Sequence, residues 1–394
     1  MPNIRPRLPV ELLFAATSTA AVAQERRAAE IEDMVWRDGG EPLAMTGDLV
    51  RIRPNGVGLS PMSTPHRPLR ALGIPAVLVA MCSCAPAGDS SAFTDEAGSP
   101  PEVAPWDLPA EAVRAGVERV RAGRDLTPDA WPGGARVAVL LSFDVDNETI
   151  EGLRQGVMSV GPLSQGEYGA RVGLPRIVEL LDREQIPATF FFPAWSLMLA
   201  PRQAEVINAP GMHEIGVHGW IHETNTTLDA ATERRLLTQA VDTIARIAGR
   251  RPVGYRAPSW NLSESTLDIV LDLGLLYESS LMADDRPYEL LRNGAPTGVV
   301  ELPVSWILDD APLFRPLGDS YASPREVMQV WVDEFDRAWE ERTMFLLTTH
   351  PHIIGPRSRI VALEGLIAHI KERGDVWFGT HEAAARWVRE RAGM

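Results

Sequence analysis

The 394-residue chain lacks several features that define large classes of protein. Acidic residues outnumber Lys and Arg by 53 to 38, and the formal charge of −15 argues against nucleic-acid binding, which needs a basic face for the phosphates. We interpret this charge as ordinary solubility. No apolar run reaches the ~18 residues of a membrane-spanning helix. No G-x-G-x-x-G sequence follows a first strand, which disfavours a doubly wound nucleotide-binding sheet.

Cysteine is nearly absent, and both copies, Cys82 and Cys84, lie in one short stretch. Arg67 and Arg70 precede an apolar segment, residues 71–81, and small and polar residues follow it. This is the layout of a secretory signal whose apolar part is too short to span a membrane. A cysteine directly after such a segment resembles a bacterial lipoprotein signal. We therefore predict export and a lipid anchor at one of the two cysteines, and a buried apolar segment with incidental thiols is the alternative.

The residues before this signal-like segment do not fit a secreted protein, because a signal should begin the chain. Met62 stands where a start would be expected, so residues 1–61 are predicted to be poorly ordered or a spurious extension. A first signal ending near Ala23 is the competing interpretation. If the whole N-terminal region is spurious, a cytoplasmic location follows instead.

The domain organisation follows from composition. The segment 62–84 is the lipoprotein-like signal, and 85–133 begins rich in Ala, Gly, Ser, Pro and acids, as flexible tethers do. Within this tether, residues 108–123 are predicted to form a short amphipathic helix. Residues 134–394 read as one domain.

Short apolar runs alternate with helical patterns throughout this domain. The strand candidates are VAVLLSF, PATFFF, EIGVH, VGYRA, VVELPV, MFLLTT and VWFG. Between them, Ser323 and Glu326 form a capping box at a helix start, and further helices are predicted over 263–274 and 358–374. Strands alternating with helices predict parallel βα units, and about seven units in roughly 260 residues predict an α/β barrel.

Polar side chains of the kinds that perform chemistry follow four of these strands. In chain order they are Asp144 and Asp146, His218 and His222, Arg256 and Trp260, and His350 and His352. Because the carboxyl ends of barrel strands meet at one face, where active sites are built, we expect these residues to converge.

These residue types indicate metal-assisted hydrolysis. Two imidazoles and a carboxylate are the usual protein ligands of a catalytic zinc, and His218 and His222 lie one helical turn apart, so a loop entering a helix could aim both at one ion. Asp144 and Asp146 point the same way in extended chain, so one could bind metal while the other takes a proton from water. Arg256 could keep that base ionised, and a histidine across the site could protonate the leaving nitrogen. A zincin protease is disfavoured, because HGWIH lacks the glutamate of H-E-x-x-H.

The motifs SFDVD, HGWIH, RAPSW and TTHPH, in this order, resemble those of the polysaccharide deacetylase (NodB homology) family, carbohydrate esterase family four. The resemblance covers nearly all of residues 134–394. It implies a distorted (β/α)7 barrel that removes N-acetyl groups with one divalent metal, zinc or else cobalt, nickel or manganese. The implied roles are Asp144 as base, Asp146, His218 and His222 as metal ligands, Arg256 as orienting the base, His350 as acid, and Pro258, Trp260 and Trp306 as lining the substrate pocket.

Val145 separates the two acids, which are adjacent in most members of this family. That spacing resembles a branch of peptidoglycan deacetylase-like proteins and ring-opening amidohydrolases of the allantoinase and cyclic-imide type. The substrate is therefore either an N-acetylated glycan or a small cyclic amide, and the lipoprotein-like segment favours the glycan. A lipoprotein that binds glycan without turnover is disfavoured, because both Asp144 and His350 are present. No oligomeric state is predicted.

No catalytic role is predicted for the other histidines or for Glu148. His213 and His352 are interpreted as structural or solvated, and Glu148 either as a partner of the site or as a surface acid. His369 and His381 lie on helical patterns and are assigned nothing.

Overall fold

The computed structural model describes residues 103–314 and 322–394, to which all structural statements refer. The predicted extension (1–61), the lipoprotein-like signal (62–84) and the first part of the tether lie outside the described residues. Among the helices that are described, none combines the length and apolar character needed to cross a membrane.

The described residues form one ten-stranded sheet. Its strands are β1 (Val120–Asp125), β2 (Val137–Asp144), β3 (Thr189–Phe192), β4 (Glu214–Val217), β5 (Gly254–Tyr255), β6 (Tyr277–Glu278), β7 (Tyr288–Arg292), β8 (Ala295–Glu301), β9 (Met344–Thr349) and β10 (Val376–Gly379). All seven strand candidates of the sequence are confirmed. The two-residue β6 and the pair β1 and β7 were not predicted.

The sheet closes into a distorted barrel. From β9 the order runs through β2, β3, β4, β5, β6 and β8, and every one of these pairings is parallel. Beyond β8, the chain returns to β9 through a parallel bridge between Asp309 and Thr348. β10 adds in parallel to the first half of β2, and β7 and β1 extend the sheet antiparallel beyond β8. The predicted (β/α)7 barrel of the NodB type is thus confirmed.

Helices cover the sheet between successive strands. They are α1 (Ala110–Glu118), α2 (Val160–Tyr168), α3 (Leu174–Glu184), α4 (Ala194–Leu199), α5 (Arg202–Asn208), α6 (Ala230–Ala248), α7 (Thr266–Asp272), α8 (Asp310–Phe314), α9 (Pro324–Glu341), α10 (Pro351–Ile354), α11 (Ile360–Arg373) and α12 (His381–Ala392). The helices predicted over 263–274 and 358–374 are confirmed as α7 and α11, one to three residues shorter at each end.

Two predictions about local structure are wrong. The helix predicted over 108–123 ends at Glu118, and Val120–Asp125 instead forms β1, whose antiparallel bonds to β7 replace the helical ones. The sheet therefore begins inside the segment assigned to the tether. Ser323 does cap α9 in backbone conformation, with φ −66° and ψ 128°, but its side chain makes no capping hydrogen bond. The capping box is therefore not formed.

The alternation of β2 determines where Asp144 points. Its odd-numbered residues, such as Leu141 and Phe143, join the large apolar cluster that includes the helices. Its even-numbered residues begin with Ala138 and Leu140, which belong to a second apolar cluster. Because successive side chains of a strand point to opposite faces, this second face continues into Asp144 at the end of the strand. A buried strand thus delivers a carboxylate to the end of the barrel.

Candidate active site

Asp144 is the last residue of β2 and is 1% exposed. Its Oδ1 accepts a hydrogen bond of 2.8 Å from Nη1 of Arg256, which follows β5. Burial alone would raise the pKa of Asp144, but the Arg256 guanidinium holds it below its ordinary value. The structure thus brings together Asp144, the predicted base, and Arg256, the side chain predicted to orient it. The Asp144 carboxylate is kept ionised, as a proton acceptor must be.

His218 and His222 follow β4, but they do not lie at a helix start as the sequence predicted. The chain from His218 to His222 is a loop that turns through positive φ at Gly219 (79°) and His222 (65°). A Cβ on Gly219 would lie 2.8 Å from the ring of Pro258, so this turn requires glycine for space as well as conformation. The helical spacing of the two histidines was therefore coincidental, and a tight loop aims them instead.

Asp146, His218 and His222 converge on one point. Nε2 of His218 lies 3.6 Å from one carboxylate oxygen of Asp146, and Nε2 of His222 lies 3.8 Å from the other. Nδ1 of His218 donates to the carbonyl of Arg256 at 2.8 Å, which leaves its Nε2 with a free lone pair. Ligands of a tetrahedral zinc at ~2.0–2.1 Å lie roughly 3.3 Å from one another, so the two imidazoles and the carboxylate need to move little.

The surroundings of Asp146 also fit a cation. Neither of its carboxylate oxygens has a hydrogen-bond partner among the described residues, although the side chain is buried. Burial without a partner raises the pKa of Asp146 well above its ordinary value. A buried carboxylate of this kind costs free energy unless it is protonated or paired with a positive charge. The residues therefore fit a divalent metal held by Asp146 and the two histidines, the set that the sequence singled out.

His350 follows β9 and faces this triad, with its Nε2 3.7 Å from Asp146. On the other side of the ring, Nδ1 donates to Oδ1 of Asp310 at 2.7 Å, and the backbone N–H donates to Oδ2 of the same residue at 3.0 Å. Burial would lower the pKa of His350, but the carboxylates of Asp310 and Asp309 raise it well above its ordinary value. The imidazole is thus held in the charged form, ready to donate a proton from Nε2.

Asp309 and Asp310 were not predicted as site residues, although they lie shortly after the predicted strand VVELPV. Asp310 begins α8, and Asp309 bridges to β9, so both reach His350 only through closure of the barrel. Two buried acids after a strand end were the available signal. Asp309, Asp310 and His350 are also close enough to hold a cation, but the hydrogen bond from His350 to Asp310 already explains their arrangement.

Of the three residues predicted to line the substrate pocket, Pro258 lies against Gly219 in the loop between the site histidines, and Trp260 and Trp306 lie against each other. Pro258 and Trp260 belong to a short 3-10 turn after Arg256, and Trp306 begins another after β8. The rings of Trp260 and Trp306 lie 4.0 Å apart between centroids. Trp260 is buried, whereas Trp306 is 37% exposed, so this pair presents an apolar surface to solvent.

The remaining histidines of the sequence analysis and Glu148 differ in their contacts. Nδ1 of His213 accepts from the backbone of Ala188 at 3.2 Å, which is a structural contact. Nε2 of His352 lies 3.5 Å from Glu151, and its ring packs against that of His350. Glu148 is partly buried, and burial raises its pKa. His381, to which the sequence assigned nothing, is completely buried and contacts Arg256.

The chain is similar to known proteins in both sequence and fold. The polysaccharide deacetylase family model matches residues 166–277. The peptidoglycan deacetylase of Helicobacter pylori is 30% identical over 284 residues, which are 64% of this chain and 97% of that protein. A crystal structure assigned as a polysaccharide deacetylase of Mycobacterium smegmatis is 34% identical, with a TM-score of 0.63 over 69% of this chain and 96% of that one. The structure of Puue allantoinase is 25% identical, with a TM-score of 0.60 over 68% of this chain and 98% of that one.

Proposed function

The chain belongs to the polysaccharide deacetylase family, and from that premise we propose that it is a metal-dependent hydrolase that removes acetyl groups from N-acetylated glycan, such as peptidoglycan or a chitin-like polymer. The observation that carries the proposal is the placement of a base, Asp144, and an acid, His350, each 3.7 Å from a member of the triad Asp146, His218 and His222. A binding protein without turnover would need neither group in a tuned ionisation state.

The triad would hold the metal, zinc or else cobalt, nickel or manganese. A divalent cation there would polarise the acyl oxygen and make water a better nucleophile at neutral pH. Asp144 takes the proton of the attacking water, because Arg256 keeps its carboxylate ionised while its Oδ2 lies 3.7 Å from Nε2 of His218, at the edge of the triad. His350 donates a proton to the departing nitrogen, because Asp310 keeps its imidazole charged.

The glycan is proposed as substrate on two grounds. The relative that is 30% identical, and almost wholly covered, is a peptidoglycan deacetylase. In addition, the rings of Trp260 and Trp306, tilted by 31° at 4.0 Å between centroids, offer a partly exposed apolar surface suited to an acetyl methyl group and the face of a sugar ring.

A ring-opening amidohydrolase is the second candidate. Val145 between the two acids favours it, as does the likeness to an allantoinase at 25% identity. Opening a cyclic imide or ureide would use the same base and acid, but the departing nitrogen would stay attached to the product, as part of an amide or a ureido group.

An activity screen separates the two. The full chain, loaded with zinc or cobalt, is incubated with N-acetylglucosamine oligomers, peptidoglycan fragments and small cyclic imides. Released acetate and new free amino sugars support the deacetylase. Consumption of the cyclic imides alone supports the second candidate, and no hydrolysis of any of them with metal bound rejects both.

We further propose that the protein is exported and anchored by lipid at Cys82 or Cys84. The support is the order of basic, apolar and cysteine residues in the sequence. Intact-mass analysis of the protein from its native host tests the idea. A lipid-modified chain that begins at either cysteine is expected, and an unmodified chain that retains residues 1–81 would contradict it.

A further inference from the structure

The guanidinium of Arg256 has no spare donor. The side chain is completely buried, and a guanidinium carries five N–H groups. Nη1 donates to Asp144 (2.8 Å) and to Oγ of Ser142 (2.9 Å), while Nε donates to the carbonyl of Ser279 (3.0 Å). Nη2 donates to Oγ of Ser279 (2.9 Å) and to Nε2 of His381 (3.2 Å). All five N–H groups are thus matched by five acceptors, and His381 is one of them.

The hydrogen bonds around His381 determine which ring nitrogen carries the hydrogen. Oγ of Thr189 lies 3.1 Å from Nδ1 of His381 and accepts from its backbone N–H at 2.9 Å. The same hydroxyl donates its hydrogen to the carboxylate of Glu214 at 2.9 Å. A hydroxyl has one hydrogen and two lone pairs, so Nδ1 must be the donor. Nε2 is left with the lone pair that Arg256 requires.

The environment keeps this imidazole neutral. His381 is completely buried and packs edge-on against Phe191, at 5.3 Å between ring centroids, and beside Tyr277, at 5.9 Å. Arg256 is the cation that faces the ring, and Glu214 reaches it only through Thr189. Burial and the charge of Arg256 both lower the pKa of His381 well below its ordinary value.

We infer that His381 is a positioning residue for the catalytic base, and that it acts through Arg256. Its Nε2 fixes Nη2 of the guanidinium, and the rigid fork then holds Nη1 against Asp144. The backbone carbonyl of Arg256 also accepts a hydrogen bond from Nδ1 of His218, so Arg256 orients a predicted metal ligand as well. The inference rests on the proposed function, because it concerns the base of that reaction.

Substituting Gln or Asn for His381 tests the contacts of its two ring nitrogens separately. Gln reaches as far as Nε2 and offers an oxygen to Arg256, whereas Asn reaches only as far as Nδ1 and preserves the contact with Thr189. We expect His381→Gln to stay within about threefold of wild-type kcat, and His381→Asn to lose up to about 10²-fold, as misplaced catalytic groups do. His369→Gln, at a partly exposed histidine paired with Asp336, is the matched control and should leave kcat unchanged.

Further readouts distinguish positioning from general loss of structure. In His381→Asn, KM and metal content should remain as in the wild type. Equal kcat for the Asn and Gln variants would overturn the inference, as would a loss in His381→Asn that is matched by loss of metal.

Nitrogen NMR of the wild-type protein, labelled with 15N-histidine, provides a test that needs neither activity nor a folded Asn variant. Assigned by comparison with His381→Gln, the ring should show the neutral Nδ1–H form wherever the protein is folded. A Nε2–H form, or protonation near the ordinary histidine pKa, would overturn the inference. If the metal-loaded wild type hydrolyses no substrate, the proposed function fails; if it does and the Asn variant matches it, only the inference fails.

Discussion

Replacing Asp144 with Asn separates the roles of the two strand-end acids. The amide oxygen can still accept the 2.8 Å hydrogen bond from Arg256, so the side chain should keep its place. The amide cannot take a proton from water, however, and loss of a general base costs about 10²–10⁴-fold in rate. At ~1.36 kcal/mol for each tenfold, the activation barrier should rise by about 2.7–5.4 kcal/mol. Bound metal should stay, since the triad of Asp146, His218 and His222 is untouched.

The same substitution has a smaller effect on folding. The hydrogen bond from Arg256 is kept, but the buried guanidinium loses its negative partner, which should lower the free energy of unfolding by about 1.5–3 kcal/mol, the range for hydrogen bonds to charged groups. For a domain of this size, the melting temperature should fall by roughly 3–6 °C. Because Arg256 lowers the pKa of Asp144, this stabilisation is present above the ordinary carboxyl pKa and is lost as pH falls through the lowered value. The stability difference between wild type and Asp144→Asn should therefore shrink in acid.

Zinc titration with acetate release as readout is the assay, and Asp146→Asn is the matched control. Asp146→Asn removes one charged ligand, so it should weaken metal binding first and recover part of its activity in excess zinc. Asp144→Asn should be saturated with zinc and still inactive. If excess zinc restores the activity of Asp144→Asn but not that of Asp146→Asn, the two roles are reversed. The acid before Val145 would then bind the metal, and the acid after it would be the base.

Three further substitutions test other parts of the site. Asp310→Asn removes a carboxylate that raises the pKa of His350, so the alkaline limb of the kcat profile should move to lower pH; an unchanged profile would contradict that role. His350→Ala should keep its metal and slow amides with poor amine leaving groups more than activated esters, and an equal loss on both would exclude it as the acid. Gly219→Ala places a Cβ 2.8 Å from a proline ring at φ 79°, so denaturant unfolding should show a loss of roughly 1–3 kcal/mol, larger than in the control Gly211→Ala, which has φ 70° and open space.

Much of the site could be read from the sequence because parallel strands impose a common edge. Asp144, His218, Arg256 and His350 each follow an apolar run, and a barrel brings such strand ends to one face whatever lies between them. The period of two along β2 likewise predicted that Asp144 and Asp146 share a side. These inferences needed only local patterns and one topological rule.

The parts that the sequence did not predict depend on contacts between distant segments. Asp310 and His350 are 40 residues apart in the chain, and Arg256 and His381 are 125 residues apart, yet each pair is in hydrogen-bond contact. His381 begins α12, where its spacing resembles that of any core residue. β1 is a charged edge strand whose Val120 continues the spacing of Val113 and Val117 in α1, so the local pattern indicated helix, and only pairing with β7 makes this segment a strand.

Metal content tests the central claim most directly. Wild-type protein, His218→Ala, His222→Ala and the control His369→Ala are purified identically, equilibrated with zinc, and measured by elemental analysis. With Asp146, the two site histidines form the buried triad, so wild type and control should hold one divalent ion per chain and both site variants should lose it. Full retention of metal in both His218→Ala and His222→Ala would contradict the assignment of this site and the hydrolytic mechanism built on it.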